Sequence, residues 1–129
     1  MIKLTIDKLL KRTEPDCSEC CVYVFRDMEA VFYVGSATRI LSRVLTHLGR
    51  GPWSWGGQSA MARLLIANAP ASRDWQVEFL TMADCVPYVK RYFPAVKQYS
   101  IALAEKAMIR HYRPCLNDVD NPAFTIVKG

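Results

Sequence analysis

Tyr33 and Gly35 close a short apolar run, Val31 to Gly35, and the segment that follows carries Arg39, Arg43, His47 and Arg50 without a single acid before Gly51. A helix from about Arg39 to Leu48 buries a stripe of Ile40, Leu41, Val44, Leu45 and Leu48. Arg39, Arg43 and His47 then stand at i, i+4 and i+8 on another face, so cationic and proton-carrying groups line up beside the end of the preceding strand. Guanidinium groups suit bidentate contact with phosphate oxygens, and an imidazole can move a proton near neutral pH. Far along the chain, Glu105 falls on the inward stripe of a helix formed by Ile101, Met108, Ile109 and Tyr112. A carboxylate on an apolar face costs free energy unless it is paired. Its partner would be an arginine, a backbone cap or a divalent cation; alternatively it stands at the stripe's edge and leans into water.

The chain that must position these groups has 129 residues, 51% of them hydrophobic, which is enough for one compact domain with a core. Its formal charge is +5. From Ala30 to Arg73 there is no Asp, Glu or Lys, while Arg39, Arg43, Arg50, Arg63 and Arg73 all occur. Such a one-sign surface fits a polyanionic partner, nucleic acid above all, although charge runs also arise as plain solvated faces. Five cysteines, with Cys20 and Cys21 adjacent, do not make a secreted disulfide framework and fit a reducing compartment. Cys17 and Cys20 open a C-x-x-C, but a closed zinc site needs four ligands, and Cys85, Cys115 and His111 are scattered singles. The N-terminal stretch is broken by Lys3, Asp7 and Lys8, and no apolar run reaches the ~18 residues of a membrane span, so the expectation is a soluble cytoplasmic protein with no membrane partner.

Residues 2 to 12 read as an amphipathic helix or a short strand, and residues 1–20 are set apart as an N-terminal appendage to a domain of residues 21–129. Cys21 to Phe25 and Val31 to Gly35 are β-branched and aromatic runs that predict a hairpin. A three-residue loop, Asp27 to Glu29, would put Tyr23 directly opposite Tyr33 on one face; loops of two or four would separate the two rings. Ser36 or Thr38 would cap the arginine-bearing helix and Gly49 would close it. Gly51 to Gly57 is a loop, and Ser59 to Ala69 a helix ended by Pro70. Trp75 to Met82 alternates as a third strand, with Trp75, Val77 and Phe79 on one face and Gln76 and Glu78 on the other. Pro87 and Pro94 obscure the next stretch, and Gln98 to Tyr112 is a helix stopped before Pro114.

These residues together resemble the GIY-YIG nuclease domain. Its first motif stands here as Cys21-Val22-Tyr23 and its second as Tyr33-Val34-Gly35; Arg43 follows eight residues after Gly35, His47 four further on, then Glu105, and Asn117 twelve after it. The match extends from Cys21 to Asn117, with Cys21 where the family usually has glycine. The resemblance implies an α/β (α+β) fold in which a small three-stranded, mainly antiparallel sheet is flanked by helices. It implies an endonuclease that hydrolyses phosphodiester bonds in DNA by an in-line mechanism with one Mg²⁺ or Mn²⁺ and no small-molecule cofactor. In that reading Glu105 holds the metal, and Arg43 joins it in neutralising the charge of the transition state. Tyr23 orients or deprotonates the attacking water, which for a phenol of ordinary pKa ~10 requires positive charge nearby. His47 relays the proton, Tyr33 positions the phosphate, and Asn117 fixes the site from behind; Asn117 also reads as a plain turn residue. Arg39, Arg50 and Arg63 are candidates for nucleic-acid backbone contacts, and Trp53 and Trp55 for base stacking or core packing. A lone domain of this kind would show modest sequence specificity unless it forms a homodimer. The alternative is a catalytically silent module on the same fold that binds nucleic acid or protein.

Overall fold

The computed structural model describes residues 1–11, 15–48 and 60–117. The elements run β1 (Ile2–Thr5), α1 (Ile6–Leu10), β2 (Cys20–Arg26), β3 (Val31–Ser36), α2 (Ile40–His47), α3 (Ala60–Ala67), β4 (Gln76–Thr81), α4 (Met82–Tyr92) and α5 (Ile101–Tyr112). The mixed α+β class agrees with expectation, but the sheet has four strands, not three, in the order β1-β4-β2-β3, every neighbouring pair antiparallel. The extra strand comes from the stretch set apart as an appendage. Ile2 pairs with Phe79 and Leu4 with Val77, and then Thr5 leaves the sheet and caps α1, its hydroxyl accepting from the Lys8 amide at 3.2 Å. A strand and a helix share one polar residue, so residues 2 to 12 show no single period.

Both faces of the sheet are covered. Ile6 and Leu9 of α1, Ile40 and Val44 of α2, and Met61 and Leu65 of α3 pack with Tyr23, Phe25, Val77 and Phe79 on one face. On the other, Cys85 and Val89 of α4 and Ala104, Ala107 and Met108 of α5 pack with Val22, Val24, Val34 and Leu80. Glu78 is therefore on the face opposite Val77 and Phe79, as its alternation predicts, yet buried, with Lys3 and Arg26 each 3.6 Å from its carboxylate. α4 forms through the stretch that the prolines obscure. Thr81 and Asp84 make a reciprocal capping box at its start, and Pro87 lies inside it. α5 begins at Ile101 with Ser100 as its cap, later than the predicted Gln98.

The hairpin places its tyrosines by a route the sequence does not show. Four residues, not three, separate Arg26 from Val31, which would send Tyr23 and Tyr33 to opposite faces. A bulge at Phe32 then shifts the register by one more residue, because Arg26 pairs with Val31 but Phe25 pairs with Tyr33. The two changes of parity cancel. Both rings lie on the same face, but diagonally, with Tyr23 opposite Gly35.

Candidate active site

Tyr23 is the centre of the cluster. It is buried in the middle strand, and its ring lies directly over Gly35, where an added Cβ would overlap the phenol's Cζ and Oη. This is why the second motif needs glycine: a close approach, not a special backbone angle. Tyr33 packs 6.1 Å from Tyr23, centroid to centroid. The His47 ring fills the space between them, 5.7 Å from Tyr23, 5.3 Å from Tyr33 and 5.6 Å from Phe25. The Tyr23 hydroxyl and His47 Nε2 share a hydrogen bond of 3.0 Å. His47 is buried and does not share the exposed face of Arg39, because it stands three residues after Val44 and seven after Ile40 and continues their buried stripe. Arg43, one turn earlier, keeps its side chain exposed, and its charge is felt at the Tyr23 hydroxyl.

The electrostatics of this pair are set by burial. Desolvation pushes the Tyr23 hydroxyl well above the ordinary phenol range; Tyr33 and Glu105 add to the rise, and Arg43 opposes it without overcoming it. The positive charge that a tyrosinate would need is present but loses to the loss of water, so Tyr23 rests as a phenol. Burial, helped by the Arg43 charge, lowers His47 to about 4. At neutral pH the imidazole is uncharged and can accept a proton at Nε2.

Glu105 enters from the opposite side of the sheet. Its helix packs on β3, an edge strand, and its Oε2 accepts from the Ser36 hydroxyl at 3.1 Å. Ser36 was expected as a cap of α2; instead α2 begins after Arg39 with no side-chain cap, and the Ser36 hydroxyl serves the carboxylate. It is the one site residue that sequence reasoning missed, and its signal was position, directly after Gly35 of the second motif. Glu105 is half-buried, and its charge is felt at the Tyr23 hydroxyl. Two elements from one face and one from the other thus converge where β3 ends.

Asn117 is buried behind this point. Its Oδ1 accepts from the Val34 amide at 2.8 Å, and its Nδ2 donates to the Val34 carbonyl at 2.8 Å. One side chain thereby replaces the strand that β3 lacks on its outer edge, and the Leu116 amide donates to Phe32 O at 2.9 Å beside it. Asn117 holds the second motif in place and does not point at the Tyr23 hydroxyl's partners. Arg39 and Arg63 are exposed, on α2 and α3. Arg50, Trp53 and Trp55 lie outside the described residues.

The residues around Glu105 suit a single hard cation only in an open site. Among the described residues no group of three or more His, Cys, Asp and Glu side chains gathers in one place. One carboxylate with a hydroxyl beside it matches the way Mg²⁺ is held, by one or two carboxylates, its own waters and substrate phosphate. It does not match a closed zinc site, and Cys20 and Cys21 sit in opposite cores of the sheet. Among the described residues no helix is long and apolar enough to cross a membrane. No protein-family model, curated protein or solved structure matches the chain.

Proposed function

We propose that the protein is a metal-dependent endonuclease that hydrolyses phosphodiester bonds in DNA with one divalent ion, of the GIY-YIG type that its motifs resemble. The observation that carries this reading is convergence on one hydroxyl. His47 shares a hydrogen bond with the Tyr23 hydroxyl, and the charges of Arg43 and Glu105 are both felt there, although these groups come from β2, α2 and α5.

In this reading the attacking water gives its proton to the Tyr23 oxygen as the phenol passes its own to Nε2 of neutral His47. The water oxygen bonds to phosphorus, the P–O bond to the departing sugar oxygen breaks, and that oxygen takes a proton from solvent. Tyr23 need not ionise at rest, which its burial forbids. Arg43 neutralises charge growing on the phosphate, and Tyr33, packed against both Tyr23 and His47, fixes where that phosphate lies. A divalent ion, if bound, would be held by Glu105 and would supply Lewis acidity against the charge growing on the phosphate. Ser36 orients the carboxylate that would hold it. Arg39 and Arg63 are sequence-blind backbone contacts.

Nicking of supercoiled plasmid with Mg²⁺ or Mn²⁺ tests the site. Glu105→Ala and Arg43→Ala should each slow cleavage by about 10²-fold or more, the usual cost of losing one transition-state contact, and EDTA should abolish it. Cleavage that survives both substitutions would overturn the assignment. One observation favours the silent binding module instead: Cys21 stands where the first motif of the family usually has glycine. Salt-dependent DNA binding unchanged by EDTA, with no cleavage of plasmid or branched DNA, would select that reading.

A further inference from the structure

The joined C-terminal ends of α4 and α5 carry a second cationic surface that the site above does not use. From Cys85 to Arg113 the only acid is Glu105, against Lys90, Arg91, Lys97, Lys106, Arg110 and Arg113. Two of these guanidinium groups lie over aromatic rings, Arg91 at 5.4 Å from the centroid of Tyr92 and Arg110 at 4.7 Å from that of Phe93. The two helix ends are tied together between them. Tyr92 Oη and His111 Nδ1 share a hydrogen bond of 3.1 Å, and the Tyr88 ring packs 4.6 Å from His111. Arg91 and Arg110 are both exposed, and neither takes part in an ion pair of the described residues.

Basic side chains at helix C-termini complement the helix dipole, which makes their unpaired charge inexpensive to keep. The dipole does not account for two exposed guanidiniums braced by rings and free of carboxylates. A guanidinium so braced has already lost much of its rotamer freedom, and its outer N–H groups remain available to a planar or tetrahedral oxyanion. The placement fits one ligand in particular. Lys106 and Arg110 stand about 100° and 140° around α5 from Glu105, and Arg110 about 7–8 Å along the axis. Those angles set the surface on another flank of α5 than Glu105, so a ligand that touches both must be as broad as a duplex, whose major groove alone is about 12 Å wide.

We propose that Arg91 and Arg110, on their aromatic supports, bind the phosphate backbone of the nucleic-acid duplex beside the scissile position. This rests on the nucleic-acid reading of the neighbouring site and gives it a second contact surface that holds one arm of the substrate. Its contacts are to phosphate, so they are sequence-blind and salt-sensitive.

The test uses the full-length protein, a labelled blunt DNA duplex of about three helical turns, and EDTA to prevent cleavage. The variants are Arg91→Ala/Arg110→Ala and Arg91→Lys/Arg110→Lys. Loss of two phosphate contacts should lower the slope of log K against log salt by about 1.8 and weaken binding by about 60-fold at 0.1 M salt relative to 1 M extrapolation. The lysine pair should recover most of the slope, and thermal unfolding should be unmoved in both. With Mg²⁺, the apparent KM of the alanine pair for plasmid should rise in step with its lost affinity, as expected when substrate contacts are removed. Wild-type binding without cleavage, still lost in the alanine pair, would sink the nuclease reading and leave this surface standing. Equal affinity and slope in wild type and alanine pair would overturn the surface alone. Failure of the wild-type protein to bind the duplex, with binding instead to phosphatidylserine vesicles, would overturn it in favour of a lipid headgroup.

Discussion

Gly35 and Tyr23 are a matched pair, and the match is steric before it is catalytic. The ring occupies the volume a side chain at Gly35 would need, and it cannot swing away because its hydroxyl is bound to His47 inside a packed core. Gly35→Ala should therefore destabilise the fold by about 1–3 kcal/mol, the usual cost of overpacking, and break the Tyr23–His47 contact. In a Tyr23→Leu background the same change should be nearly neutral, so a double-mutant cycle in denaturant unfolding measures the clash itself. His47 carries a separate, pH-dependent signature. Its folded-state pKa, about 4, lies below the ordinary 6.5, so between those values the unfolded chain binds more protons than the native one. The stability that its neutral form contributes is complete above pH 6.5 and is lost as pH falls toward 4. At roughly 1.4 kcal/mol per unit, and allowing for the part of the ring that solvent reaches, wild type should lose about 2 kcal/mol more than His47→Gln between pH 7 and 4.5. Equal losses in the two proteins, measured by urea unfolding, would show that His47 titrates normally.

β3 owes its position to a residue more than eighty positions later in the chain, since both polar backbone groups of Val34 on its outer edge are bonded to the Asn117 side chain. Asn117→Ala leaves a buried N–H and a buried C=O without partners, at about 1–3 kcal/mol each before water enters. The expected result is 2–4 kcal/mol of lost stability, about what that range implies, with faster hydrogen exchange concentrated at Val34. Asn117→Asp should not rescue it, because a carboxylate can accept from the amide but repels the carbonyl. The sequence made Asn117 visible as a residue in motif spacing and left its job open, since a turn residue and a strand-edge clamp look alike in one dimension. The same limit governed the hairpin. That Tyr23 and Tyr33 share a face was legible, but through a three-residue loop, whereas the chain uses a four-residue loop and a bulge at Phe32 whose effects on parity cancel. Periodicity read most of α5 and the strand over Gln76–Thr81, the latter because Val77 and Phe79 alternate with Gln76 and Glu78 even though the sheet is covered on both faces. It failed on α4, where Pro87 masks a helix started by the Thr81–Asp84 capping box, and on β1, whose four residues are too few to show alternation.

The molecule as a whole is a sheet between two helical layers, and the proposed site draws on both of them around the end of the edge strand. Tyr23, Arg43 and His47 belong to the layer of α1, α2 and α3; Glu105 belongs to that of α4 and α5. Assembling the site therefore requires both layers to seat on the sheet. β1 and α1 belong to the same sheet and core, because β1 extends the sheet and α1 packs with Tyr23 and Phe25. Leu9 is the place to test this, being fully buried on α1 and remote in sequence from every residue of the site. If α1 packs as an integral element, Leu9→Ala should cost about 2–5 kcal/mol, the range for emptying a buried leucine site. A loosely attached segment would tolerate the change within about 0.5 kcal/mol, as exposed positions do. Unfolding should stay a single transition when followed both by far-UV circular dichroism and by tryptophan fluorescence, because one sheet serves both layers. Two separated transitions, with the second unaffected by Leu9→Ala, would show that the α1 layer folds independently and that Tyr23 does not depend on it for its burial.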